Sequence, residues 1–341
     1  MIKLTVFSKD SEFFIVDKVP LKVYYIITER SEKIMTENEF LLQDRLQKIQ
    51  QIIRQYGEEN FYISFSGGKD STVLSALVDM ALPENQIPRV YADTGIELNM
   101  IRDFVFNMAK TDARVVVIKP SVPIKQMLDA HGYPFKSKEY SAIHKHYKKT
   151  GLKTHWVKQY LQCDEQKNKL DRYACPKILR YQFADEFNLK ISDDCCNELK
   201  EKPLKQWQKI NNKPYPILGI MRTEGGRRNH AKCLAFSGNK LKAFQPLSII
   251  SKDWENWFID KYNIKICDIY KPPYNFDRTG CKGCPFNPKL QDSLDILEKY
   301  FPNERKQCEI IWKPVYDEYR RIGYRLKPIE SESEVHDADN N

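Results

Sequence analysis

Phe61-Tyr62-Ile63-Ser64-Phe65, then Ser66-Gly67-Gly68-Lys69-Asp70-Ser71, then Thr72 to Ala81 read in order as a hydrophobic strand, a glycine turn and a helix. In the last segment Val73, Leu74, Leu77, Val78 and Ala81 recur at the three-and-four spacing that puts them on one helical face. In such a strand-turn-helix, successive backbone N–H groups and the helix N-terminus can cradle phosphate oxygens. Two glycines let the backbone come close, and Lys69 adds a mobile cation. An ordinary glycine turn is the plain alternative, but the flanking serines and the setting argue against it. The glycines stand closer together than in a Walker A loop.

The scheme repeats outward. Arg89–Ala92 reads as a strand, Asp93-Thr94-Gly95 as a turn, residues 100–108 as a helix and residues 113–118 as another strand. Strands alternating with helices predict an α/β fold with a doubly wound, mostly parallel sheet, in which ligands bind beyond the carboxyl ends of the strands. Both SGGKDS and DTG fall at such ends. Upstream, Phe40, Leu41, Leu46, Ile49 and Ile52 mark a helix running from Thr36 to near Gly57. Residues 1–35, with alternating runs such as IKLTVF and LKVYYII, read as a small N-terminal β extension. The nucleotide-binding domain is expected over residues 36–270, with a helical insertion at about 136–213. Residues 271–328 form a C-terminal CxxC region with helices, and residues 329–341 a disordered acidic tail.

The chain has 341 residues, 41% of them hydrophobic, enough for a sizeable core without disulfide help. No signal peptide or membrane-spanning run is visible, so a cytoplasmic location is the expectation. Nine cysteines are too sparse for a disulfide scaffold and point to metal or redox chemistry instead. The net charge of +9 suits phosphorylated partners.

Cys195 and Cys196 are adjacent, while Cys281 and Cys284 form a CxxC between Gly280 and Pro285. Four thiolates suit a tetrahedral zinc or a cubane iron-sulfur cluster, and a lone CxxC also serves thiol exchange. Spacing alone leaves these open. Cys163, Cys175, Cys233, Cys267 and Cys308 read as ordinary thiols, with Cys175 the one candidate sulfur carrier.

Arg222, Arg227 and Arg228 lie in a loop, RTEGGRR, after the hydrophobic run YPILGIM, where guanidinium groups can make two-point contacts to phosphate or sulfate. Between Lys125 and Lys158, lysines are interleaved with His131, His144, His146 and His155 and with Tyr133, Tyr140, Tyr147 and Trp156. Such a stretch can grip a nucleic-acid backbone and stack bases, or it can be a solvated helix face.

SGGKDS resembles the PP-motif of the N-type ATP pyrophosphatases, which cleave ATP between the α and β phosphates and adenylate a substrate. Asp93-Thr94-Gly95 resembles the DTG motif of the phosphoadenosine phosphosulfate reductase family. The cysteine pair, the Lys-x-x-Pro-Leu that ends at Pro203-Leu204, and the later CxxC resemble the [4Fe-4S] motif of assimilatory adenylyl-sulfate reductases. Phe244-Gln245-Pro246-Leu247, Lys252-Asp253-Trp254, Asp268-Ile269-Tyr270 and Gly280-Cys281 follow that family's landmarks in order.

The resemblance implies an adenine nucleotide alpha hydrolase-like fold and a [4Fe-4S] cluster on Cys195, Cys196, Cys281 and Cys284. It implies nucleotide binding by Ser66, Gly67, Gly68, Lys69, Asp70, Ser71, Asp93, Thr94, Gly95, Arg222, Arg227 and Arg228, with Mg2+ on the phosphates. Lys69, Asp70 and Arg222 would act in catalysis. The chain departs from the reductases in two ways: it lacks their C-terminal ECGLH-like cysteine motif, and Lys69 and Asp70 keep the ATP-cleaving form. Both departures favour ATP and adenylation in sulfur transfer, with a cysteine desulfurase and DNA or tRNA as partners. The alternatives are a reductase making sulfite from adenylyl sulfate or its 3'-phosphorylated form, using Cys308 or a thioredoxin-type donor, and a non-catalytic nucleotide sensor.

Overall fold

A computed structural model describes residues 35–162 and 174–328. The expected β extension, Cys163 and the acidic tail lie outside the described residues.

Six strands, β1 (Phe61–Phe65), β2 (Arg89–Ala92), β3 (Val115–Ile118), β4 (Tyr215–Ile217), β5 (Leu234–Ser237) and β6 (Lys240–Phe244), form one sheet in the order β3-β2-β1-β4-β6-β5. β2 pairs with β3, β1 with β4 and β4 with β6 in parallel, as the strand-helix alternation predicts. β5 runs antiparallel to β6, with an irregularity between Ala235 and Phe236. This hairpin was not expected: Leu234–Ser237 is short and only partly buried, so it lacks the apolar run that marks the central strands. Its turn is made by Gly238 at φ +57.

The chain divides into two compact units. The first takes residues up to Ile63, Asp70–Ile87 and Tyr215–Lys265; the second takes Ser64–Lys69, Pro88–Pro214 and residues from Ile266 onward. In the first, the helix Glu37–Tyr56 opens with a capping box. The Glu39 amide donates to Thr36 Oγ1 at 3.3 Å, and the Thr36 amide donates to Glu39 Oε2 at 3.0 Å. It buries Leu42, Ile49, Ile52 and Ile53. The helix Lys252–Lys261 is capped by Ser251 and tied to Asn38 by the Trp254 indole N–H at 3.0 Å.

The second unit holds a core of aliphatic and aromatic side chains from the helices Asn99–Thr111, Ile124–His131, Lys138–Thr150, His155–Gln162, Leu290–Tyr300 and Pro302–Arg321. Trp312, Tyr316 and Tyr319 are fully buried in it. Truncating one such ring to alanine costs about 3–5 kcal/mol. A single helical run over residues 194–210 carries a π-turn at Asn197–Glu201. Such a bulge shifts the face presented by the residues after it. No helix among the described residues is long and apolar enough to cross a membrane.

Candidate functional site

The phosphate loop bends between β1 and the helix Lys69–Ala81. Gly67 sits at φ +68, and a Cβ there would lie 2.5 Å from Val105 Cγ2, so both backbone conformation and packing require glycine. A Cβ on Gly68 would meet Ser66 Oγ, Tyr270 Oη and Thr279 Oγ1, and the Gly68 amide donates to Ser66 Oγ at 3.3 Å. Lys69 opens the helix and Ser71 is buried in its first turn.

Asp70 accepts an ion pair from Lys252 at 2.9 Å, and the same ammonium reaches the buried Glu255 at 3.2 Å. Burial pushes the Lys252 ammonium down, but Asp70 and Glu255 more than offset this and hold it above its ordinary range. The sequence reading identified Asp70 without this cation.

Within the second unit, a cavity of 320 Å³ lies at the carboxyl ends of β1 and β2, where an open α/β sheet places its ligands. Ser64, Phe65 and Ser66 wall it on one side, Tyr91, Ala92, Glu97 and Ile101 on another, and Lys138, Cys196, Lys200, Glu201, Leu204, Thr279 and Gly280 complete it. The Tyr91 phenol oxygen is buried without a hydrogen-bond partner among the described residues, a group that a ligand could satisfy. Burial, then the Glu97 and Asp93 carboxylates, push that phenol upward, so it stays protonated as a donor.

The DTG turn is held by its own carboxylates. Asp93 receives Nε and Nη2 of Arg102, both at 3.1 Å. Thr94 donates its amide (3.1 Å) and hydroxyl (2.7 Å) to Glu97. Gly95, at φ +78, has open space where a Cβ would point.

Glu97 links this turn to the cysteines. It forms a backbone bridge with Cys281 and an ion pair with Lys200 at 3.3 Å. Cys195 is buried, while Cys196, Cys281 and Cys284 are half-buried. Burial, then the neighbouring thiols, raise Cys195 and Cys284, the latter to about 12; burial raises Cys281 against the pull of Lys200. In turn Cys281, above all, raises the Lys200 ammonium.

The four thiols therefore share one neighbourhood, and their thiolates need more positive charge than one lysine provides. That is the chemistry of a metal-cluster donor set. Among the described residues no three His, Cys, Asp or Glu side chains converge on a point fit for a single ion.

The loop that carries Cys281 and Cys284 is clamped from the C-terminal helix. The Lys282, Gly283 and Pro285 carbonyls accept from Trp312 Nε1 (2.9 Å), Tyr316 Oη and Tyr319 Oη (3.0 Å) respectively. Lys282 Nζ is buried against Glu304 at 3.2 Å and donates to Gln307 at 2.8 Å. Gly283, at φ +58, lies over Cys308, whose fully buried thiol is pushed up to about 12 by burial. Cys308 packs this loop and is not presented as a nucleophile. Cys175 is likewise buried.

The arginine loop lies in the first unit. Arg222 Nε donates to the Ala231 carbonyl at 2.6 Å, closing its own loop, and Arg228 is half-buried. The Arg227 side chain lies outside the described set. No arginine lines the cavity, whose cations are Lys138 and Lys200.

The basic stretch is sorted by the fold. His144 is buried among Tyr140, Phe183 and Phe187, its Nε2–H donating to the Gln182 carbonyl at 2.8 Å. Burial lowers its pKa to about 4, so it is a neutral core histidine. His131 lies 3.5 Å from Asp194. Lys145 is paired with Asp193 and Asp194, and Lys148 caps the Ala184 and Phe187 carbonyls.

Tyr91, Glu97, Lys138 and Lys200 were not singled out as ligand-facing residues from sequence. Glu97 follows DTG by two residues and Lys200 begins the Lys-x-x-Pro-Leu run, so adjacency to known motifs was the available signal.

No curated protein matches the chain. Among solved structures, phosphoadenylyl-sulfate (PAPS) reductase from Candida auris in a phosphate complex is 10% identical, at TM-score 0.37, over 69% of this chain and 91% of that one. U34-tRNA thiolase NcsA from Methanococcus maripaludis with its [4Fe-4S] cluster is 15% identical, at TM-score 0.35, over 82% of this chain and 80% of that one. NH3-dependent NAD synthetase from Campylobacter jejuni is 11% identical, at TM-score 0.38, over 86% of this chain and 99% of that one. Residues 60–168, which hold the glycine loop, the DTG turn and both strands that wall the cavity, match the family model described as the phosphoadenosine phosphosulfate reductase domain.

Proposed function

We propose that the chain is an ATP-dependent adenylating enzyme of sulfur transfer that carries a [4Fe-4S] cluster. One observation carries the reading: the cavity at the strand ends runs from Ser66 of the phosphate loop to Cys196 and Lys200 of the thiol site. Nucleotide and sulfur chemistry are thereby given adjoining walls.

Gly67, Gly68, Lys69 and Ser71 would hold the β and γ phosphates, with Asp70 as the nearby carboxylate; Mg2+, when bound, would supply further neutralisation of phosphate charge. Asp93, Thr94 and Gly95 set the adenosine end, and Arg222, Arg227 and Arg228 meet anionic oxygens of nucleotide or acceptor. An acceptor oxygen attacks the α phosphorus, the α–β bond breaks, and pyrophosphate leaves with the bonding pair, its charge met by Lys69. The adenylated oxygen then departs with AMP when hydrosulfide, formed as a dithiol reductant supplies two electrons to the persulfide sulfur of a desulfurase partner, replaces it on a nucleic-acid acceptor. Cys195, Cys196, Cys281 and Cys284 would hold the cluster, which when bound supplies thiophilic iron. Lys200 and Glu97 orient and balance the charge of its thiolate side.

Sulfite production from adenylyl sulfate or its 3'-phosphorylated form is the second reading, favoured by the domain match at residues 60–168. Cys308 lies fully buried under Gly283, so on this reading the attacking thiol belongs to a thioredoxin-type donor. An anaerobic product assay separates the two. Pyrophosphate from ATP, lost in Lys69→Ala, is the expected result; sulfite from adenylyl sulfate with no pyrophosphate from ATP overturns the first reading.

A further inference from the structure

Residues 140–162 contain five lysines, three histidines and no aspartate or glutamate. The fold divides these cations into two sets. Lys145 and Lys148 are engaged internally by Asp193, Asp194 and backbone carbonyls, and His144 is in the core. Lys149, Lys153 and Lys158 are exposed, together with His155, and among the described residues no acid pairs with any of the three lysines.

Beside them stands Trp156, 43% exposed. The helix His155–Gln162 buries Val157 and Tyr160, which are three residues apart, so its core-facing side is already chosen. Trp156, one residue before Val157, is turned outward. Its indole is steadied by the His146 ring, centroid to centroid 5.7 Å and tilted by 48°. Leaving an indole in water forfeits one of the largest burial gains available to any side chain.

We infer that this face, with Trp156 as stacking platform and Lys149, three residues after the His146 that touches it, and Lys153 of the connecting turn along the backbone track, binds single-stranded nucleic acid. Unpaired bases offer a π-face to an exposed indole, whereas a duplex keeps its bases stacked on each other. Lysines that pair with no acid among the described residues attract phosphates in a salt-dependent way. As the site of the acceptor, the surface rests on the adenylating reading; as a binding surface, it stands on the geometry above.

The test uses the full, cluster-loaded chain and fluorescence anisotropy with a labelled oligothymidylate, its RNA counterpart and a duplex of the same length. Both single strands are expected to bind more tightly than the duplex, and the tighter of them names the sugar. Trp156→Ala is expected to weaken single-strand binding about tenfold, with Trp156→Phe retaining most of it. Changing Lys149 and Lys153 together to glutamine should lower the log–log salt slope by about 1.4. Equal duplex binding, indifference to Trp156→Ala, or competition by polyglutamate as strong as by polynucleotide would overturn the inference, the last outcome pointing to an acidic protein. ATP binding by calorimetry on the same samples keeps the two ideas apart. ATP bound without oligonucleotide defeats only this surface, and oligonucleotide bound without ATP defeats only the adenylating reading.

Discussion

The loop at 280–285 and the loop at 222–231 are both glycine-containing segments expected from sequence to meet a ligand, yet they are held in opposite ways. The cysteine loop has three carbonyl anchors, at Lys282, Gly283 and Pro285, each taken by a buried aromatic donor from one helix. The arginine loop is closed by its own atoms, through Arg222 Nε on Ala231 and short backbone turns from Arg222 to Ala231. A cluster donor set works when its sulfurs are fixed before the ligand arrives, which rigid aromatic clamps provide. A loop tied by bonds between its own residues is the kind of segment found at the low-stability end of a fold, where ligand-gripping segments occur.

If that contrast is correct, substitutions in the first loop should unfold the protein and substitutions in the second should not. The largest effect is expected for Gly283→Ala. A Cβ there would lie 2.3 Å from Tyr316 Oη and 2.7 Å from Cys308 Sγ, at a left-handed φ of +58. A loss of about 3–4 kcal/mol in chemical denaturation is expected, from backbone strain plus overpacking; a loss under about 1 kcal/mol would mean that the clamp is loose.

Next comes acid. The His144 pKa falls from 6.5 unfolded to about 4 folded, so the unfolded chain binds a proton that the folded chain refuses. Stability from this group is full above the unfolded value, drains as pH drops from 6.5 towards 4, and then levels off. The total is roughly 3 kcal/mol. Denaturation midpoints of His144→Gln against the parent chain should show that part of the pH profile flattened. A parallel profile would place the ring in water.

Smaller still is Tyr316→Phe, which leaves the buried Gly283 carbonyl without its donor and should cost about 1–3 kcal/mol in thermal unfolding. It should also make the visible absorbance of the loaded site bleach sooner in air. Arg222→Gln should shift stability by less than about 0.5 kcal/mol while depressing turnover. A stability loss as large as that of Tyr316→Phe would erase the distinction between the loops.

Much of the sheet was legible because β1, β2 and β3 are short apolar runs separated by turn signals, and SGGKDS and DTG mark their ends. The antiparallel strand β5 was not, since Leu234 and Ala235 are only half-buried and Phe236 and Ser237 are exposed, leaving it no buried alternation of the kind β6 has. The cysteines could be named from motif order, but not their surroundings: Glu97, Lys200 and Cys281 meet only through tertiary pairing. The basic stretch failed as a uniform surface for the same reason. The partners of Lys145 and Lys148 lie tens of residues further on, so sequence alone could not separate engaged lysines from exposed ones.

On the proposed function, ATP occupies the cavity between Ser66 and Cys196. Photolabelling the anaerobic, cluster-loaded chain with 8-azido-ATP, followed by peptide mapping, tests this most directly. Label blocked by excess ATP and confined to peptides bearing the cavity walls, such as those with Tyr91, Ile101, Leu204 or Thr279, is the predicted result. ATP-protected label elsewhere, with these peptides unmodified, would contradict it.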